Sequence, residues 1–133
     1  MKITNFKDLE VWKESIELTK EIYTITLENK FSRDFGLCDQ IRRAVVSISS
    51  NIVEGFEKNN NNEFSRYLRI AKGSVGEVRS QLEVSYAVGY INEKRLSELD
   101  DKLVILAAKI GALLQYLQNQ RLTRNTQPVT RNL

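Results

Sequence analysis

The chain has 133 residues, 41% of them apolar and 28% charged, a balance that suits one globular domain and excludes a disordered or fibrous chain. It has no histidine and a single cysteine, Cys38, so a zinc site, a Ser-His-Asp triad and a Cys-His dyad are all out of reach. The net charge of +3 and isoelectric point near 9.0 invite a nucleic-acid reading, yet the excess is local: residues 121–133 carry Arg121, Arg124 and Arg131 with no acid, while residues 1–120 hold 17 basic and 17 acidic side chains.

A lone cysteine forbids an internal disulfide and fits a reducing compartment. The opening MKITNFKDLE lacks the apolar core of a signal peptide. The uncharged stretch from Ala44 to Val53 is too short to span a bilayer. These features point to a cytoplasmic, non-enzymatic protein with no cofactor and no membrane partner.

Helical spacing then repeats four times. The first helix is expected from about Asp8 to about Thr26, with Leu9, Trp12, Ile16 and Tyr23 as its core seam. Its charged arc holds Lys7, Glu10, Lys13, Glu14, Glu17, Lys20 and Glu21, and a second apolar track of Val11, Leu18, Ile22 and Ile25 lies away from the seam. Ser32 is the expected cap of the second helix, whose seam is Leu37, Ile41, Val45, Ile48 and Ile52. Val46 and Val53 lie on its other side, and Arg43, Ser47, Ser50 and Glu54 line its far face.

The asparagines at 59 to 62 form a turn signal before the third helix. Phe64, Leu68, Ala71, Val75, Val78 and Leu82 make its seam, and Gly89 its end. Opposite that seam runs a stripe of small side chains: Gly73, Gly76, Ser80, Val84 and Ala87. Asn92 caps the fourth helix, where Leu96, Leu99, Leu103, Leu106, Ile110, Leu113 and Leu117 alternate steps of three and four. Short connections make neighbours antiparallel, so the expected fold is all-α, an up-down four-helix bundle over residues 1–120 followed by a basic tail over 121–133.

The two extra stripes, on the first and third helices, are open to two readings. Either a neighbouring helix of the same bundle fills them, or they form a subunit interface. Glycine within a helix costs about 1 kcal/mol relative to alanine, so Gly73 and Gly76 call for a close approach by another backbone.

Several strings carry a family resemblance: FKDLEVWKESIELTKEIY from Phe6, FGLCDQIRRAVVSISSNIVEG from Phe35, EFSRYLRIAKGSVGEVRSQLE from Glu63, and GYI at Gly89. Over about residues 6–118 the chain resembles the bacterial four-helix bundle proteins of the 23S rRNA intervening-sequence family. A more distant similarity is to the accessory variability determinant of diversity-generating retroelements, which binds nucleic acid and works with a reverse transcriptase. The resemblance implies an antiparallel bundle assembled as a ring-shaped homopentamer, and tilts the stripes toward a subunit interface. It implies no particular activity for the intervening-sequence branch.

Within SNIVEG, Asn51 is expected to bond across to a neighbouring helix, and Glu54 to pair with Arg66 or Arg69, or with Arg43 of another subunit. Gly55 is expected to have a packing role, and Glu77 to lie at an interface. Residues from Cys38 to Arg79 are net basic and Lys7 to Lys30 net acidic, which suits head-to-tail subunit contacts or a phosphate-binding stripe. The nucleic-acid candidates are Arg42, Arg43, Arg66, Arg69, Lys72 and Arg79, with Arg121, Arg124 and Arg131 in the tail. The partners expected are the chain itself, and nucleic acid or another protein.

Overall fold

A computed structural model describes residues 2–123, with side chains described as far as Gln120. The described residues form four α-helices: α1 (Glu10–Thr26), α2 (Phe35–Glu57), α3 (Asn61–Ala87) and α4 (Glu93–Thr123). Short 3-10 turns at Phe6–Asp8 and Phe31–Arg33 precede α1 and α2. α1 packs against α2 and α4, and α3 packs against the same two, so α1 and α3 occupy diagonal corners of an all-α four-helix arrangement.

The seams expected for α2, α3 and α4 face the core. Ile41, Val45, Ile48 and Ile52 are buried, as are Phe64 through Leu82 at their helical spacing and Leu99, Leu103, Leu106, Ile110 and Leu117. α1 is turned the other way from its expectation. Val11, Leu18, Ile22 and Ile25 are buried, while Trp12 and Ile16 are half-buried and Tyr23 is 38% exposed. Val11, Leu18, Ile22 and Ile25 therefore belong to the core of the single chain, which corrects their reading as a subunit interface.

The reason lies in two polar positions and one charged ridge. Ser15 and Thr26 complete the buried face of α1, their hydroxyls donating to the carbonyls of Trp12 (2.7 Å) and Tyr23 (2.9 Å), so they enter the core already satisfied. This orientation also aims the acids of α1 at α4. Lys109 reaches Glu10 (2.8 Å) and Glu14 (2.6 Å), Lys102 reaches Glu21 (2.8 Å), and Arg95 reaches Glu28 (3.0 Å). The Lys109 ammonium holds the Glu10 carboxyl below its ordinary range, and Glu10 and Glu14 raise Lys109 in return.

Local signals set the ends. Asp34, rather than Ser32, caps α2, accepting from the Leu37 N–H (3.1 Å). Its other oxygen accepts from the Tyr90 hydroxyl (2.8 Å), and the Tyr90 ring rests against buried Phe31. Asn60 caps α3 and Asn92 caps α4, each through its side-chain oxygen. Asn59 and Gly89 take the positive φ that ends the helices before them, 52° and 85°.

The Leu37 N–H and Tyr90 hydroxyl hold the Asp34 carboxyl below the ordinary carboxylate range. A folded value below the unfolded one stabilises the protein above about pH 3.9, and the contribution is lost as pH falls through the folded value. Asp34→Ala is expected to lower the melting temperature by a few degrees at about pH 7, with the gap from the unaltered protein narrowing as pH falls below about 3.9 in circular-dichroism melts.

Candidate functional site

Of the two stripes that sequence periodicity singles out, one closes within the chain and one stays open. On α3, Gly73, Gly76, Ser80, Val84 and Ala87 are all exposed, together with Ile70 and Glu77. A Cβ added at Gly73 or Gly76 would meet no atom within 4 Å. No packing among the described residues therefore accounts for either glycine. Gly55 is the opposite case: it is buried, and a Cβ there would lie 2.7 Å from the Tyr67 Cβ and 3.3 Å from the Phe64 Cα. Its role is the expected packing role, since it lets α2 and α3 meet at their shared turn.

Polar side chains tie the α2 edge of the open face together. The Ser47 and Ser74 hydroxyls share a hydrogen bond across the two helices (2.9 Å). Asn51 donates within its own helix, to the Ser47 carbonyl (2.8 Å) and hydroxyl (3.0 Å), instead of crossing to a neighbour as expected. Its reach to α3 runs through Ser47. Glu54 accepts from the Tyr67 hydroxyl (3.3 Å), not from an arginine of its own chain, because Arg66 is taken by Glu63 one helical turn away (3.1 Å). Glu77 accepts only a long contact from the Gln81 amide (3.5 Å). Gln81 is 9% exposed, and its buried Oε1 has no hydrogen-bond partner.

The basic candidates do not gather into one stripe. Arg42 lies over the Tyr23 ring and donates to Thr26, Arg43 pairs with Asp39, and Arg79 grips Asp100 with two nitrogens. Of the six in the bundle, Arg42, Arg69 and Lys72 have no ion pair among the described residues, and Arg69 and Lys72 are exposed. Of the tail candidates, Arg121 falls in the last turn of α4 with its side chain outside the described residues, and Arg124 and Arg131 lie wholly outside them.

Sequence periodicity missed a second surface feature. Of the α1 seam it assigned to the core, Leu9 is buried as expected, whereas Trp12, packed edge-on to Phe6 at 5.2 Å, and Ile16 are half-buried and Tyr23 is exposed; with Leu27, which is 70% exposed, these three form an outer ridge. A groove of about 450 Å³ between this ridge and α2 is lined by Phe6, Trp12, Ser49, Ser50, Val53 and Glu54. The flanking Lys13 and Lys20 were the available signal, since a buried seam would not be bordered by lysines on its outer side.

Chemically, the described side chains offer surfaces more than a reaction centre. No group of three His, Cys, Asp or Glu side chains is arranged to hold a metal ion among them. The displaced carboxyls of Glu10, Asp34 and Glu63 all shift downward, through Lys109, the Leu37 N–H and Arg66 respectively, whereas a general acid requires an upward shift. The Cys38 thiol donates to the Phe31 carbonyl (3.1 Å), and burial pushes its pKa up, away from the reactive thiolate. No described helix is long and apolar enough to cross a membrane.

Fold and surface thus define a helical bundle protein with one open helix face. Residues 7–112 match the model of the 23S rRNA-intervening sequence protein family, and the chain belongs to that family. It is also similar in fold to the crystal structure of a protein of unknown function from the S23 ribosomal protein family of Bacteroides thetaiotaomicron. That likeness has a TM-score of 0.72 at 21% identity, over 79% of this chain and 98% of the other. The comparison with curated proteins gave no match.

Proposed function

We propose that this protein is a non-enzymatic, self-assembling four-helix bundle that acts in the cytoplasm as a scaffold or adaptor, with the outer face of α3 as its subunit interface. One observation carries the reading: two mid-helix glycines on an exposed face, each with open space above it and no packing role among the described residues. A glycine that costs helix stability and packs nothing in its own subunit is explained by a second backbone arriving from outside. A ring of five is the assembly that family membership favours.

Self-association links stability to concentration, so the melting temperature is expected to rise with protein concentration across a hundredfold range in calorimetry. A melting temperature independent of concentration would count against the reading.

A nucleic-acid-binding accessory role is the second reading, supported by the exposed Arg69 and Lys72, which have no ion pair among the described residues, and by the three tail arginines. Five tails on one ring would bring about fifteen positive charges together, where multivalency makes individually weak phosphate contacts useful.

A further inference from the structure

We propose that the surface covering the open face of α3 is the outer ridge of α1 from a second copy of this chain, a proposal that rests on the self-assembly reading above. Shape is the first support. The ridge presents large side chains, Trp12, Ile16 and Tyr23, and the α3 face presents Gly73, Gly76, Ser80 and Ala87 with nothing above its glycines. Both repeat every seven residues, Ile16 with Tyr23 and Gly73 with Ser80 and Ala87, so large side chains of one helix can seat in the small positions of the other along its length.

Charge is the second support. Glu10, Glu14 and Glu21 are answered by lysines of α4, so beside the ridge stand Lys13, without an ion pair among the described residues, and the exposed pair Lys20–Glu17, a net charge of +1. In the middle of the α3 face stands Glu77, also without an ion pair among the described residues. Its one contact is the nine-tenths buried Gln81, whose amide oxygen lacks a donor. A lysine ammonium arriving at Glu77 brings both the missing counter-charge and further donors to that pair.

Topology is the third. Because α1 and α3 stand at diagonal corners, the ridge and the open face point away from each other. One chain cannot bring them together, and two chains that join ridge to face leave a free ridge and a free face. Such a heterologous contact continues in one direction, giving a ring where the rotation between subunits closes and an open filament where it does not.

The test is a charge exchange followed by light scattering, with circular dichroism to confirm folding. Lys13→Glu with Lys20→Glu makes both surfaces acidic, and Glu77→Lys makes both basic. Each variant alone is expected to run at the one-subunit mass of 15.4 kDa. Mixing the two is expected to give assemblies that contain both, which also shows that each is folded. If the unaltered protein assembles and either variant keeps its full mass, or the mixture stays at one subunit, the ridge-to-face pairing is wrong while self-assembly stands. An unaltered protein that is monomeric at every concentration overturns both.

Discussion

Gly73→Leu and Gly76→Leu are each expected to release single subunits while leaving helix content unchanged. The helix content follows from the open space at both positions: a Cβ added there has no atom of the described residues within 4 Å. The release follows because the same side chain would occupy the volume another helix needs. Alanine gives a sharper version, since its two settings differ in sign. In an isolated chain, alanine at both glycines would stabilise α3 by up to about 2 kcal/mol, twice the usual penalty of glycine in a helix interior. In an assembly that packs a backbone there, the double alanine variant should instead dissociate at higher protein concentration than the unaltered protein. Dilution followed by light scattering separates the two, and a more stable variant with unchanged mass would remove α3 from the interface.

Gly55→Ala is expected to be the most damaging small substitution in the bundle, for the opposite reason. A Cβ at 2.7 Å from the Tyr67 Cβ, 3.2 Å from the Phe64 Cδ1 and 3.3 Å from the Phe64 Cα cannot be relieved by swinging a side-chain tip, because two of those atoms are fixed to the α3 backbone. α2 and α3 would have to separate at their shared turn, loosening the edge contact between Phe56 and Phe64 and the Tyr67–Glu54 hydrogen bond. Overpacking of this kind costs about 1–3 kcal/mol, set against a helix-propensity gain of about 1 kcal/mol. A urea titration should show a lower midpoint with an unchanged slope. A midpoint equal to or above that of the unaltered protein would mean that the turn yields easily. The two kinds of glycine are alike in sequence, and only the atoms around them decide that alanine harms one and, in a lone chain, helps the others.

Three of the four helices were legible because each has an apolar seam at steps of three and four that is buried, the buried polar residues of α3 (Asn61, Ser65, Ser74, Gln81 and Ser85) lying beside that seam. Counting apolar residues at steps of three and four in α2, α3 and α4 finds the core directly, as with Leu99, Leu103 and Leu106. α1 was misread because an apolar count passes over Ser15 and Thr26 on its buried face, whereas the other side offers Leu9, Trp12, Ile16 and Tyr23, of which Leu9 alone is buried. A hydroxyl bonded back to its own helix is invisible to an apolar count, yet costs little to bury. Charge could have decided the rotation: only one orientation sets Glu10, Glu14, Glu21 and Glu28 against Lys109, Lys102 and Arg95.

The α3 stripe was legible from its glycines, but whether a neighbour filled it was a three-dimensional question. The net acidity of Lys7 to Lys30 misled in the same way, since most of those acids face α4 and what stands beside the ridge is Lys13 with the Lys20–Glu17 pair. Asn51 and Glu54 were expected to bond across to a neighbouring helix and to an arginine, but Asn51 bonds Ser47 within α2 and Glu54 accepts from Tyr67, because the partner depends on which side chain lies nearest once the helices are packed.

That another subunit covers α3 is tested most directly by the mass of the unaltered protein in native mass spectrometry at working concentration. The expected result is a discrete multiple of the 15.4 kDa subunit, with a fivefold species dominant if the ring has the membership that the family favours. A single species at 15.4 kDa at every concentration would contradict it, and would leave Gly73 and Gly76 as exposed glycines without a structural purpose.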